Sequence, residues 1–176
     1  TPIGKAFRGA FNNTKSPTML GHAIEHAVSR SGVEAAEIED VVIGSVLNAG
    51  TAGSNIARKS LKVAGLPDTV PGQTIDRQCA SGLMAIGIAA RQIMVEGMNV
   101  AVAGGQESIS LVQNDYFDWY RRDKDENVLK HSEHAYMPML ETAEFVVNKY
   151  NISREDQDAY ALESQRRTAA AQDAGR

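Results

Sequence analysis

Cysteine is all but missing from this sequence: Cys79 is the only one in 176 residues. A single cysteine closes no internal disulfide, which fits a reducing compartment and sets the expectation of a cytoplasmic protein. Runs of basic residues are missing too. With a formal net charge of −4, nucleic acid is excluded as the main partner. No apolar run reaches the roughly 18 residues of a membrane span, so none is expected. An initiating methionine is also lacking, since the sequence opens Thr1-Pro2-Ile3-Gly4. The native start is therefore expected upstream, and a targeting segment is not judged from this end.

What is present suits a folded α/β protein. Apolar residues make up 43% and charged residues 23%, ordinary values for a globular chain able to bury a real core. Thr1 to Lys15 reads as loop. Ser16-Pro17 then predicts a helix start, with Ser16 as N-cap and Pro17 in the first turn. The helix runs to about Ser31 with Gly32 as its stop, and Leu20, Ala23, Ile24, Ala27 and Val28 form its apolar stripe. It carries His22-Ala23-Ile24-Glu25-His26, which matches the H-x-x-E-H pattern of one zinc-peptidase class. At about 100° per residue these side chains point roughly 130–170° from the stripe, toward solvent. A zinc site there has no dry cavity and no third ligand, so no metal is expected.

Ala35 to Asp40 predicts a short acidic turn. Val41-Val42-Ile43-Gly44-Ser45-Val46 is β-branched and predicts a buried strand. Ser54 is the expected cap of a helix carrying Ile56, Ala57, Leu61 and Ala64, closed by Gly65 with Pro67 beyond. A short strand from Gln73 to Asp76 leads to Cys79, and a helix from Leu83 to Glu96 stops at Gly97. Asn99 to Ala103 reads as another buried strand, closed by Gly104-Gly105. This alternation predicts an α/β layered fold with a largely parallel sheet.

Cys79 falls where a strand gives way to a helix, the place where ligands gather in such folds. A thiol in a helix's first turn meets unpaired N–H groups and the positive end of the helix dipole, both of which favour thiolate. Ala80, Ser81, Gly82 and Ala85 leave room for close approach. The competing reading is an inert, buried thiol. Val100 to Gly105 lacks both the G-x-G-x-x-G pattern and the Walker lysine, so its glycines read as a strand end requiring tight backbone approach. Glu107 after it is either a structural hydrogen-bonding carboxylate or an acid/base group, the first being favoured.

Beyond Ser110 the pattern changes. Leu111 to Met139 shows no clean period, and a stretch of roughly 30 residues without regular structure suggests a lid or binding loop. Tyr116, Phe117, Trp119 and Tyr120 form either a satellite core or an apolar slot. Arg121 to Glu126 reads as solvated surface, and His131 and His134 as surface or lid residues. Two helices are then expected, Glu141 to Tyr150 and one capped by Ser153 with acids in its first turn.

Taken in order, these segments resemble the thiolase family. Arg77-Gln78-Cys79-Ala80-Ser81-Gly82 is similar to its nucleophile segment, N-x-x-C followed by a small residue and S-G. Thr1-Pro2-Ile3-Gly4 resembles its T-P-I-G opening, and Val102-Ala103-Gly104-Gly105-Gln106-Glu107-Ser108 its A-G-G-x-E-S. Met139 with Thr142-Ala143-Glu144 resembles M-G-x-T-A-E, and Ser153 to Asp158 resembles S-R-E-x-Q-D. Three positions depart from the pattern. Asp76 stands for the usual Asn, Leu140 for the Gly after Met139, and Pro138 where biosynthetic members often carry a CoA-contacting His.

The resemblance implies a thiolase-like layered fold with a mixed, mostly parallel sheet flanked by helices. Residues 1–110 would form the α/β core with the nucleophile, and residues 111–176 the start of a substrate-covering loop domain. It implies acyl transfer between 3-ketoacyl-CoA and CoA, or the reverse Claisen condensation of acetyl-CoA, through a thioester on Cys79. Met139 would line the acyl pocket. CoA and acyl-CoA are the implied partners, CoA acting as substrate with no separate cofactor, and a homodimer or homotetramer is the implied assembly. The family's G-H-P histidine and C-x-G-G cysteine do not occur in this sequence. The 176 residues are therefore expected to be an N-terminal half without turnover of their own. The alternative is a catalytically incomplete acyl-CoA-binding or scaffold protein.

Overall fold

The computed structural model describes residues 8–175; the Thr1-Pro2-Ile3-Gly4 segment of the resemblance lies outside them. Two compact units divide between Arg122 and Asp123.

The centre of the first unit is β1 (Asp40–Gly44), a β-branched run with all five residues buried. A strand apolar on both sides needs cover on both faces, as parallel sheets have. β2 (Gly72–Ile75) and β3 (Ala101–Gly105) flank it in the order β2-β1-β3, both parallel to it. Val41 pairs with Gly72 on one side and Val102 on the other; Gly44 pairs with Ile75 and Gly105. Side chains alternate across the sheet, so Val41 and Ile43 face one way and Val42 the other. Val41 and Ile43 pack with Leu20 and Ile24 of α1 (Ser16–Ser31) and with Ile56, Ala57 and Leu61 of α2 (Ile56–Val63). Val42 packs with Ala85 and Ala89 of α3 (Ser81–Val95). The unit is thus helices, parallel sheet, helix: an α/β fold as the sequence predicts.

Details of the helix starts differ from expectation. Ser16 is the first helical residue of α1 and Lys15 its extended cap. The Ser16 hydroxyl is buried inside, while its backbone N–H donates to Thr51 Oγ1 at 3.0 Å. Asn55, not Ser54, caps α2, accepting from the Arg58 N–H at 3.2 Å. The same side chain donates to the Gly72 carbonyl and accepts from the Thr74 hydroxyl, two ties to β2 that a serine is too short to duplicate. Gly32, Gly65 and Gly97 all adopt positive φ, as helix stops require. On α1, Ala23 and Ala27 are exposed together with His22, Glu25 and His26. The two imidazoles lie with ring centroids 4.3 Å apart, facing solvent.

One correction is larger. The stretch from Leu111 to Met139 is not irregular: most of α4 (Ile109–Arg122) and all of α5 (Glu126–His131) lie within it. The least exposed positions of α4 are Leu111, Val112, Gln113, Tyr116 and Tyr120. That inward face is helical in period but includes a glutamine and two tyrosines, so a count of apolar residues misses it. Tyr116 stacks on Tyr120 at 6.1 Å and packs with Leu47, Ala52 and Val112, a satellite core. Gln78–Val95 reaches the length and mean hydropathy, 18 residues at 1.2, that a membrane-crossing segment needs. Within it α3 has only 15 residues, about 22 Å against a hydrocarbon core of about 30 Å, and it packs on the sheet.

The second unit is helical. α6 (Met139–Tyr150) ends at Asn151 in the left-handed conformation, and α7 (Arg154–Asp173) begins where Ser153 Oγ accepts from the Asp156 N–H at 3.1 Å. No side chain of α5, α6 or α7 is fully buried.

Candidate active site

The site forms where β1 and β3 end and α3 begins, and glycine makes that meeting possible. A Cβ on Gly44 would lie 2.3 Å from the Ser81 carbonyl carbon and 2.5 Å from the Gly82 nitrogen. A Cβ on Gly105 would lie 3.4 Å from the Gly82 Cα. The start of α3 therefore rests main chain against main chain on the two strand ends. The tight approach expected at the Gly104-Gly105 end falls on Gly44 instead: a Cβ on Gly105 would make only ordinary contacts, and around Gly104 the space is open.

Cys79 sits just ahead of this seat. Ala80 is the N-cap and α3 begins at Ser81, so the thiol lies one residue before the cap rather than in the helix's first turn. It is free and exposed, which disposes of the buried-thiol reading. The turn carrying it is shaped by its neighbours. Gln78 adopts φ 50°, a conformation that side-chain-bearing residues avoid. Asp76 Oδ1 accepts from the Gln78 N–H at 2.8 Å. The Ser81 hydroxyl donates to the Gln78 carbonyl at 2.6 Å and accepts from the Arg77 N–H at 2.8 Å. Ser81 is 4% exposed, so its hydroxyl serves the turn rather than leaving room for a ligand.

A cavity of about 550 Å³ opens beside the thiol, bordered among others by Val46, Leu47, Gln78, Cys79, Gln106 and Phe117. Its walls are largely apolar, with polar groups few, the usual character of a small-molecule site. Glu107 also borders it, but its oxygens are occupied. Oε1 accepts from the Ser45 hydroxyl at 3.0 Å and the Val46 N–H at 2.9 Å, and Oε2 from the Leu47 N–H at 3.2 Å. The carboxylate ties the end of β3 to the loop after β1, which is its structural reading. The Gln106 carboxamide is buried with neither end hydrogen-bonded, a feature no sequence signal announced. Tyr116, in the satellite core, has its pKa raised by burial, and further by Asp76, Tyr120 and Glu107.

Cys79 belongs to the first unit and Met139 to the second. Met139 opens α6 and is 78% exposed. Among the described residues no histidine borders the thiol's cavity. His131 ends α5, and His134 lies 3.0 Å from Glu133 and packs near Phe145 within the second unit.

Comparison with known proteins decides the relationship. The family described as "Thiolase, N-terminal domain" matches residues 1–176. This chain belongs to the thiolase family. It is 37% identical to the beta-ketoadipyl-CoA thiolase of Pseudomonas aeruginosa, over 99% of this chain and 47% of that protein. The acetyl-CoA acetyltransferase of Chromobacterium violaceum is 39% identical over 100% of this chain and 47% of its own length. The 3-ketoacyl-CoA thiolase of Bacillus subtilis is 38% identical over 97% and 43%. The chain thus spans about half the length of the curated relatives it matches. The α/β layering and the parallel sheet are those of this thiolase N-terminal domain.

Proposed function

We propose that the protein containing this chain is an acyl-CoA C-acyltransferase and that Cys79 is its nucleophile. The observation that carries the reading is an exposed thiol at the edge of a largely apolar cavity, on the turn that matches the family's nucleophile segment. In the thiolytic direction the Cys79 sulfur, as thiolate, attacks the C3 carbonyl carbon of a 3-ketoacyl-CoA. The C2–C3 bond breaks and its electron pair remains on C2 as the enolate of acetyl-CoA, which takes up a proton. The acyl group is left on sulfur as a thioester. The thiolate of free CoA then attacks that carbonyl, forming the shortened acyl-CoA and expelling the Cys79 thiolate. In reverse, an acetylated Cys79 accepts the enolate of a second acetyl-CoA. Sulfur serves both directions because it is a good nucleophile and a good leaving group. The backbone N–H of Cys79 would help hold the thioester oxyanion. Coenzyme A is a substrate here, and a dimer or tetramer is the proposed assembly.

Acetoacetyl-CoA should leave an acetyl group on the Cys79 peptide of the intact protein, read by mass spectrometry, and Cys79→Ser should lose thiolysis. Retained thiolysis in Cys79→Ser sinks the proposal. A second reading is a binder of acyl-CoA without turnover, suggested by a cavity that no histidine borders among the described residues. Acyl-CoA binding with no acyl transfer to Cys79 would select it.

A further inference from the structure

Within this proposed thiol chemistry, we infer that Asp76 and Ser81 are positioning residues that together fix the direction of the Cys79 sulfur. The peptide unit entering Cys79 belongs to Gln78, and Gln78 is held at both ends. Its N–H donates to Asp76 Oδ1 at 2.8 Å. Its carbonyl accepts from the Ser81 hydroxyl at 2.6 Å and from the Ser81 N–H at 2.9 Å. The Ser81 hydroxyl completes the clasp by accepting from the Arg77 N–H at 2.8 Å.

Without a clasp, a glutamine at φ 50° relaxes toward the ordinary extended or helical regions, and the sulfur turns with it. Asp and Asn side chains stabilise a turn by accepting from the N–H two residues on. That is the Asp76–Gln78 geometry. The requirement at position 76 is therefore an acceptor oxygen, which explains why Asp can stand there in place of Asn. Ser81 meets the other end because it is seated, nearly fully buried, on Gly44. The clasp thereby references the sulfur to the sheet rather than to the surface. Reaction at sulfur depends on an aligned approach to the carbonyl carbon, so a loosened turn lowers the rate of acylation more than the affinity for the acyl-CoA.

The test compares Asp76→Ala, Asp76→Asn and Ser81→Ala in the intact protein, with two readouts. Amide hydrogen exchange at Gln78 reports the clasp itself and is independent of acyl chemistry. Single-turnover acylation of Cys79 by acetoacetyl-CoA, with KM measured alongside, reports its consequence. In Asp76→Ala, exchange at Gln78 should accelerate and acylation fall about tenfold with KM nearly unchanged, the scale of one lost hydrogen bond. Asp76→Asn keeps the acceptor and should restore both, while Ser81→Ala should slow acylation. Asp76 is exposed, so its variants are not expected to unfold. Unchanged exchange in Asp76→Ala overturns the clasp. Accelerated exchange with wild-type acylation overturns the positioning role, as does an Asp76→Asn protein as slow as Asp76→Ala. If the unaltered protein takes no acyl group on Cys79, the proposed function fails instead, and the exchange data still judge the clasp.

Discussion

At Glu107 a single carboxylate serves three donors around the bend after β1: Ser45, Val46 and Leu47. Replacing it by alanine leaves two backbone N–H groups without that partner, at about 1–3 kcal/mol for each one left unsatisfied. Glu107→Ala should therefore lower the urea midpoint clearly, whereas Glu107→Gln, which retains an acceptor oxygen, should lower it less. Tyr116 makes a different prediction. Its pKa is raised in the folded protein, so above the ordinary value of about 10 the unfolded chain loses this proton while the folded one keeps it. Stability is unaffected below that pH and declines as pH climbs from there toward the folded pKa. Tyr116→Phe, which keeps the ring stacked on Tyr120 and removes only the hydroxyl, should flatten the alkaline limb of a stability–pH curve. Cys79 stood out as a candidate because one unusual residue lay at a strand-to-helix junction. The hydrogen bonds of Asp76 and Ser81 and the unpartnered carboxamide of Gln106 gave no such sign, because they depend on which groups each side chain meets in the fold.

Among the elements, β-branched runs and glycine stops made β1 and the ends of α1, α2 and α3 readable to within a few residues. α4 escaped because its inward face mixes Val112 with Gln113, Tyr116 and Tyr120. The cap of α2 was misplaced by one residue because Ser54 and Asn55 are both good caps, and only contact with β2 selects Asn55. Asn55→Ala should cost about 1 kcal/mol as a lost cap and somewhat more through the broken ties to Gly72 and Thr74. Thermal unfolding would show it. At Gly44 the limit is steric. A methyl group there meets Ser81 main chain at 2.3 Å, which cannot rotate away, so Gly44→Ala should cost about 1–3 kcal/mol as an overpacked site. It should also slow acylation of Cys79, because the start of α3 has to move.

Over the molecule as a whole, stability concentrates in the first unit. Ile43, Ile56 and Leu61 have at most 1% of their surface exposed; Leu61→Ala should cost about 2–5 kcal/mol, measured by denaturant unfolding. The helices from α5 onward bury no side chain fully, and their amides should exchange faster than those of β1. The layered α/β class followed from the order of the elements alone. The resemblance implied a division after residue 110; the two units meet twelve residues later, between Arg122 and Asp123, a position that rests on contacts between residues distant in sequence. The seat of the thiol has a further consequence, in time rather than space. Its parts are Gly44, Ser81–Gly82 and Gly105, so the last of them follows Cys79 by more than twenty residues of synthesis. A chain growing from its N-terminus has made Cys79 before it can make β3, the far side of that seat. Until β3 docks beside β1, the start of α3 has Gly44 to rest on but not Gly105, and the seat is complete only with the closing of the sheet.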